Sequence, residues 1–442
     1  MKKWYLGIVV LAIVLVAFLI IPKHLAKKNY DLAAKYIDSA NHKMAVLHLS
    51  KSVKLNKKFE LAYLNRGIVY NDIAQFEKAI ADFDAVLNLN DTSYLAIFNK
   101  GISNLALNSF EEAINLFSKA IDLKSNKNSF FYRGLTYLNN NRYEESLADF
   151  SKSIDLDSLF GEAYFRRGIV KANLGDFEGA VVDYNKADQL KLGDINLLFY
   201  RGTSMSKTDD FKGAIKNYDK IIELDKENVN ALYNRGYLKI ILEDYNGAYK
   251  DYDAGIKIDR GNADAFYYRG YSSSKNKNYK SAVNDFTKLM QLEKNSVRAV
   301  YRRGIAYLHQ GDFNNANKDF KKTLELDSKY QDAFWGLGVI EASKGKFDKA
   351  IEYFTSAIKV NSNFTEAYYN RGVAKGILDQ HEAAIEDYTK AIQINSNYAE
   401  AYYNRGISYI RLNKFTEACV DFNKSKDLGF EKANEMINIY CN

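Results

Sequence analysis

Glycine returns at a fixed interval through most of this chain: Gly67, Gly101, Gly134, Gly168, Gly202, Gly236, Gly270, Gly304, Gly338, Gly372 and Gly406. Every interval is 34 residues except the 33 between Gly101 and Gly134. Twelve positions after each glycine stands alanine (Ala79, Ala113, Ala180 and onward to Ala418), with Ser146 the one substitute. Sixteen positions after each stands an aromatic, from Phe83 and Phe117 to Tyr388 and Phe422. Two small residues at that spacing let antiparallel helices approach closely, and the ring fills the space beside the contact. One such helix pair cannot bury its own apolar faces, so the units must stack.

The residues between the two helices agree. Seven after glycine the chain carries Asn108, Asn141, Gly175, Asp209, Gly311, Gly345, Asp379 and Asn413, types that tolerate the left-handed conformation ending a helix. Ala74, Glu243 and Lys277 are the exceptions. Aromatics four before glycine, among them Tyr63, Phe130, Tyr164, Phe266, Phe334, Tyr368 and Tyr402, complete the pattern. It resembles the tetratricopeptide repeat, whose W-x2-L-G-x2-Y…A-x3-F…P marks a 34-residue helix–turn–helix. The resemblance covers residues 60–432 in eleven units, and a degenerate twelfth fits at about 26–59, with Ala33 and Ala45 in the small places. It implies an all-α fold, a right-handed α-α superhelix. The family's proline is missing at every unit boundary, where Ser125, Lys226, Lys294, Ser328, Ser362 and Ser396 stand instead, so less rigid boundaries are expected.

The family's leucine before glycine is replaced by Arg in nine units, by Lys100 in one, and kept as Leu337. Asp stands fifteen after glycine in eight units, all of them among those nine: Arg66 with Asp82, Arg133 with Asp149, Arg167 with Asp183, Arg235 with Asp251, Arg269 with Asp285, Arg303 with Asp319, Arg371 with Asp387, and Arg405 with Asp421. Arg201 faces Asn217, and where Arg is lost Asp is lost too (Lys100 with Leu116, Leu337 with Tyr353). The covariation predicts an ion pair inside each unit, worth ~0.2–1 kcal/mol if partly exposed. A ladder of arginines for an acidic ligand is the functional alternative.

Three before glycine an aromatic occurs in ten units, and the resemblance places it on the face that lines a concave peptide groove. The groove candidates are Tyr233, Asn234, Tyr267, Arg298, Tyr301, Trp335, Glu366, Tyr369, Asn370, Glu400, Tyr403 and Asn404. Amide side chains can hydrogen-bond a peptide backbone and rings can pack on its side chains. The alternative is that the aromatics only pack between neighbouring helices. The family's carboxylate clamp for chaperone tails is not expected, because aromatics occupy its Lys place and only Arg298 and Arg302 match part of it.

The N-terminus differs from the repeats. Trp4–Ile21 carries no charge over 18 residues, ~27 Å as a helix, and is flanked by Lys2, Lys3 and Lys23. Residues 1–60 hold 11 Lys against three acids, while the other 382 sum to −1. A nucleic-acid binder would carry its basic footprint on the body of the fold, so none is expected. The expected organisation is a transmembrane signal-anchor at 1–22, a basic juxtamembrane segment and degenerate repeat at 23–59, eleven repeats at 60–432, and the end of a capping helix at 433–442. A cleaved signal peptide is the alternative. The basic flanks and the short MKK lead point to opposite sides of the membrane, and the extracytoplasmic side is favoured.

Catalytic and cofactor chemistry is not expected. The five histidines are scattered, and no P-loop, HExxH or CxxC occurs. An antiparallel return of the last helix would bring Cys441 within about a turn of Cys419, close enough for a disulfide, the alternative being two separate thiols. The reading is a membrane-anchored interaction scaffold or adaptor binding a partner protein or peptide in its groove. Its rivals are a cytoplasmic-facing peptide or client receptor and a regulatory or assembly subunit of a cell-envelope enzyme system.

Overall fold

The computed structural model describes residues 8–11, 14 and 20–441. Among them, twenty-five helices run in order from Ile21–Asp38 to Ala433–Tyr440, with no strand. They divide into two compact units, Met1–Ile221 and Ile222–Asn442. In the first, antiparallel pairs follow one another: Ile21–Asp38 with His42–Leu55, Glu60–Asp72 with Phe76–Leu87, Tyr94–Ala106 with Phe110–Leu123, Lys127–Asn139 with Tyr143–Leu156, and Gly161–Asn173 with Phe177–Gln189. Ile195–Lys207 comes next, and Phe211–Leu224 spans the division. In the second they are Val229–Ile241 with Tyr245–Ile258, Ala263–Lys275 with Tyr279–Leu292, Val297–His309 with Phe313–Leu326, Gln331–Ser343 with Phe347–Val360, Thr365–Ile377 with His381–Ile394, and Ala399–Arg411 with Phe415–Asp427, closed by Ala433–Tyr440.

The periodic small residues are the contact points. Ala79, Ala113 and their successors are fully buried, as are Phe83, Phe117, Phe286 and Phe320. A Cβ added at Gly67 would lie 2.6 Å from Phe83 Cε1, and one at Gly338 would lie 2.5 Å from Phe354 Cε1. Only glycine lets the first helix come that near the ring. Burying each ring contributes ~1.5–3 kcal/mol.

The turn inside each pair is left-handed even where the residue type disfavours it: φ is 56° at Ala74, 60° at Glu243 and 60° at Lys277, matching 58° at Asn108 and 57° at Asn413. Backbone bonds hold it, with Gln75 N–H donating to the Tyr70 carbonyl (2.8 Å) and Asn278 N–H to that of Ser273 (2.8 Å). Packing on both sides therefore overrides a local cost of roughly 1–2 kcal/mol. At the boundaries between pairs, side-chain turns stand where the family has proline. Asp157, Asp259, Asp327, Asn361 and Asn395 each accept, through Oδ1, the N–H two residues on (2.9–3.0 Å). The loss of proline is thus offset by a hydrogen-bonded turn.

The expected membrane placement is corrected. Most of the proposed anchor Trp4–Ile21 lies outside the described residues, and among the described residues no helix is long and apolar enough to cross a membrane. The helix that follows, Ile21–Asp38, contains Lys23, Lys27, Lys28, Asp31, Lys35 and Asp38, and buries Ala26 and Ala33. Its apolar stripe is thus one-sided and used in packing against His42–Leu55. The single-pass assignment and the preference for a side of the membrane are withdrawn with it.

A candidate peptide-binding face and its ion-pair frame

The arginine before each glycine points across its own helix pair. Arg66 donates from Nε to Asp82 Oδ2 (2.8 Å) and from Nη2 to Asp82 Oδ1 (2.7 Å). The same two-pronged contact joins Arg133 to Asp149, Arg167 to Asp183, Arg235 to Asp251, Arg269 to Asp285, Arg303 to Asp319, Arg371 to Asp387 and Arg405 to Asp421. These aspartates are buried, whereas the arginines are half-buried. Hydrogen bonding to Asp149, Asp183 and Asp319 holds the guanidinium groups of Arg133, Arg167 and Arg303 above their ordinary pKa. Lys171, Lys239 and Lys375 add a third bond to the shared aspartate at 2.8–2.9 Å. Arg201 finds Asn217 Oδ1 (2.8 Å) and takes its counter-charge from Asp188 (2.8 Å).

A second contact escaped the sequence reading. The remaining guanidinium nitrogen, Nη1, reaches back to the preceding repeat: Arg66 to Ser50, Arg133 to Ser118, Arg167 to Ser151 and Arg201 to Asn185 in the first unit. In the second unit the links are Arg269 to Asp253, Arg303 to Thr287, Arg371 to Thr355 and Arg405 to Thr389. Lys100 makes the equivalent link to Asp84 (2.8 Å). The acceptor always lies seventeen after the small residue of the previous repeat, a glycine except at Ala33. A signal was present: that position is short and polar in every unit except at Lys321, whose following repeat carries Leu337. There the junction is apolar, with Leu337 and Ile340 buried and Gly336 pressed against the preceding Phe320 ring.

The aromatics three before glycine pack first on their own pair. In the second unit Tyr233 meets Tyr252 (5.7 Å between centroids), Tyr267 meets Phe286 (6.2 Å), Tyr301 meets Phe320 (6.1 Å), Tyr369 meets Tyr388 (6.1 Å) and Tyr403 meets Phe422 (5.8 Å). Tyr301 and Tyr369 also touch the ring entering the next repeat, Tyr330 and Tyr398 (both 4.8 Å). Burial pushes the Tyr301, Tyr369 and Tyr398 phenols up, and that of Tyr233 up to about 12. The Tyr233 hydroxyl and Trp335 Nε1 are buried with no hydrogen-bond partner.

The polar candidates divide. Arg298 is spent on Asp264 (2.7 Å) and Glu293 (2.8 Å) and lies over the Tyr267 ring. Asn404 donates to the Tyr369 hydroxyl (2.9 Å), tying two repeats together. Asn234 and Asn370 each donate one N–H to their own helix backbone, at Asn230 and Glu366. Glu366 and Glu400 are exposed, and Glu366 adds to the burial that raises the Asp332 carboxyl, against the pull of Arg302. Cys419 and Cys441 are joined in a disulfide that fastens the closing helix Ala433–Tyr440 to the last repeat.

Successive first helices of the second unit touch along this face, and open slots lie between them. One, of about 330 Å³, is lined by Tyr271, Ser274, Lys275, Lys277, Tyr279, Arg302, Ile305 and His309. Another of about 330 Å³ sits three repeats on, at the same register, from Val373 to Arg411. A third, of about 310 Å³, is bordered by Tyr233, Asn234, Tyr237 and Tyr268.

Profiles of the tetratricopeptide repeat match residues 61–93, 133–191, 229–262, 301–364 and 399–428, and a further repeat profile of the same kind matches 377–413. The chain belongs to the tetratricopeptide repeat family. Like other tetratricopeptide repeat chains it is a protein–protein interaction scaffold. No curated protein matches its sequence. Among solved structures it is similar to the Cut9–Hcn1 hetero-tetramer of the APC/C (12% identity, 92% of this chain and 94% of that one, TM-score 0.46) and to yeast Tom70 (17%, 94% of each, TM-score 0.42). It is also similar to a tetratricopeptide repeat protein from Parabacteroides merdae (21%, 56% of this chain and 98% of that one, TM-score 0.46).

Proposed function

We propose that this tetratricopeptide repeat protein binds an extended segment of a partner protein on the first-helix face of its second unit. The observation that carries the reading is the set of slots between successive first helices, at 233–268, 271–309 and 373–411. Side chains not consumed by the fold line them, Tyr237 and Ile377 among them, each about half exposed. Two of the slots, at 271–309 and 373–411, lie whole repeats apart, which suits a peptide whose side chains enter pockets while amides such as Asn234 and Asn370 offer acceptors to its backbone.

The test is site-specific photocrosslinking in cells, with benzoylphenylalanine at Tyr237 or Ile377 and at Val420, which is 65% exposed on a second helix. The expected result is one discrete adduct from the two first-helix positions and none from Val420. Adducts from Val420 alone would place the partner elsewhere and refute the reading.

A further inference from the structure

The slot between the repeats of Gly270 and Gly304 differs in charge from its sister three repeats on. Tyr271, Lys275, Lys277 and Arg302 hold the places that Val373, Ile377, Asp379 and Asn404 hold in the other. The cavity is therefore generic to the repeat, whereas three cations are particular to this copy.

None of the three takes part in the ion-pair frame of the repeats. The repeat of Gly304 carries two arginines in succession, and Arg303 alone makes the ion pair with Asp319. Arg302, beside it, makes no side-chain hydrogen bond or ion pair among the described residues, Asp332 attracting it only from farther off, and Lys275 and Lys277 make none either. Rings hold two of them at the mouth. Arg302 lies 5.3 Å from the centroid of Tyr271, and Lys275 lies 5.6 Å from that ring and 5.9 Å from Tyr245. His309 stacks on Tyr279 at 5.0 Å and forms the far wall. No carboxylate lines the slot. The contrast within the same repeat is direct: Arg298, one turn earlier on the helix, is neutralised by Asp264 and Glu293.

Like charges gathered in a concavity repel one another unless an anion joins them. A guanidinium has five N–H donors and no acceptor, so a donor cluster with no internal partner fits an oxyanion and rejects a cation or a neutral amide. We infer that this slot takes an oxyanionic side chain, carboxylate or phosphoryl, of the partner segment, so that the second unit recognises an acidic or phosphorylated peptide. The inference rests on the proposed peptide-binding face and adds the chemistry of its occupant. The acidic stretch of the same face at Asp332, Glu366 and Glu400 then sets direction, since it repels the anionic part of the segment towards the slot.

The experiment uses the full chain and fluorescence anisotropy with three labelled peptides of equal length: one rich in glutamate, one with phosphoserine at the same places, and one with glutamine there. The glutamate or the phosphoserine peptide is expected to bind, the glutamine peptide to bind at least about tenfold more weakly, and added salt to weaken the first two. The tighter of the two anionic peptides identifies the oxyanion. The double variant K275Q/R302Q should lose at least about tenfold in affinity with its helical circular dichroism unchanged, because the two side chains meet the fold only through ring contacts at the slot mouth. Lys277→Asn, which keeps a residue suited to the left-handed turn, should lose roughly threefold, and it tests the slot even if the double variant folds poorly. Val420→Gln, on an exposed second-helix surface away from the slots, should change nothing.

Equal binding of all three peptides, an unaffected K275Q/R302Q variant, or an equal loss from Val420→Gln would overturn the inference. If no anionic peptide binds while crosslinking from Tyr237 still yields its adduct, the oxyanion slot falls and the peptide-binding face stands. If the adduct is absent while K275Q/R302Q abolishes peptide binding, the slot stands and the wider face falls.

Discussion

Removing Asp387 tests the ion-pair frame most sharply. Its carboxylate accepts three charge-assisted bonds, from Arg371 Nε (2.9 Å), Arg371 Nη2 (2.7 Å) and Lys375 Nζ (2.9 Å). The aspartate side chain is 5% exposed, while those of Arg371 and Lys375 are each 16% exposed. Breaking a buried pair costs ~3–5 kcal/mol because the survivor is left unpaired, and an exposed pair is worth ~0.2–1 kcal/mol. Here the survivors of Asp387→Ala are two cations that water can partly reach, so the loss is set at ~2–3 kcal/mol. That exceeds the value expected for an exposed pair, because the carboxylate is buried.

A stacked array opens locally, so native-state hydrogen exchange is the suitable assay. Amides in Thr365–Ile377 and His381–Ile394 should exchange roughly 30- to 160-fold faster in Asp387→Ala, the factor that ~2–3 kcal/mol implies. Arg371→Ala should cost less, since Lys375 still faces Asp387. A double-mutant cycle on the two should give a coupling energy of at least ~1.5 kcal/mol. Coupling below ~0.5 kcal/mol, or acceleration spread evenly to Val229–Ile241, would refute the reasoning.

Two further outcomes follow from the packing. Gly338→Ala should destabilise its pair by ~1–3 kcal/mol, because the added carbon meets the buried Phe354 ring, whereas Gly376→Ala, with nothing nearer than 3.7 Å, should stabilise by up to ~1 kcal/mol; local exchange compares them. At high pH, burial keeps the Tyr233 phenol protonated up to about 12 and raises those of Tyr218 and Tyr268 above their ordinary value of 10, so the folded chain holds protons that the unfolded chain releases from pH ~10 upward. Stability should therefore fall between pH ~10 and ~12, with tyrosinate absorbance rising in a step that coincides with loss of helical signal; smooth titration of all tyrosines ahead of unfolding would contradict it.

What could be read from residues alone depended on how few residue types a position admits. Gly67 against Phe83 admits one, and so the period and the fold were plain. The pairing of Arg with Asp was legible because both partners vanish together at Leu337 and Tyr353. The backward links to Ser50, Thr287 or Asp253 were not, since a short polar residue on a helix face has many explanations; only the opposition of Lys321 to Leu337 carried information. Ala74, Glu243 and Lys277 were judged by local preference, and the packing of the pair decided otherwise. The slots were beyond reach. They arise from how far side chains of two successive repeats extend towards each other, which spacing does not encode.

The junction at Leu337 gives the second unit a joint with its own response to conditions. Elsewhere in this unit, guanidinium groups link Arg269 to Asp253, Arg303 to Thr287, Arg371 to Thr355 and Arg405 to Thr389. Here Ala316, Phe320, Ala333, Leu337 and Ile340 form one dry cluster, with Lys321 turned out to solvent. Apolar contacts weaken on cooling and strengthen in excluded cosolvents such as sulfate. Apolar clusters join other repeats as well, but this joint has no guanidinium link to hold it when they weaken. In mild denaturant near freezing, the array should part first between the repeats of Gly304 and Gly338.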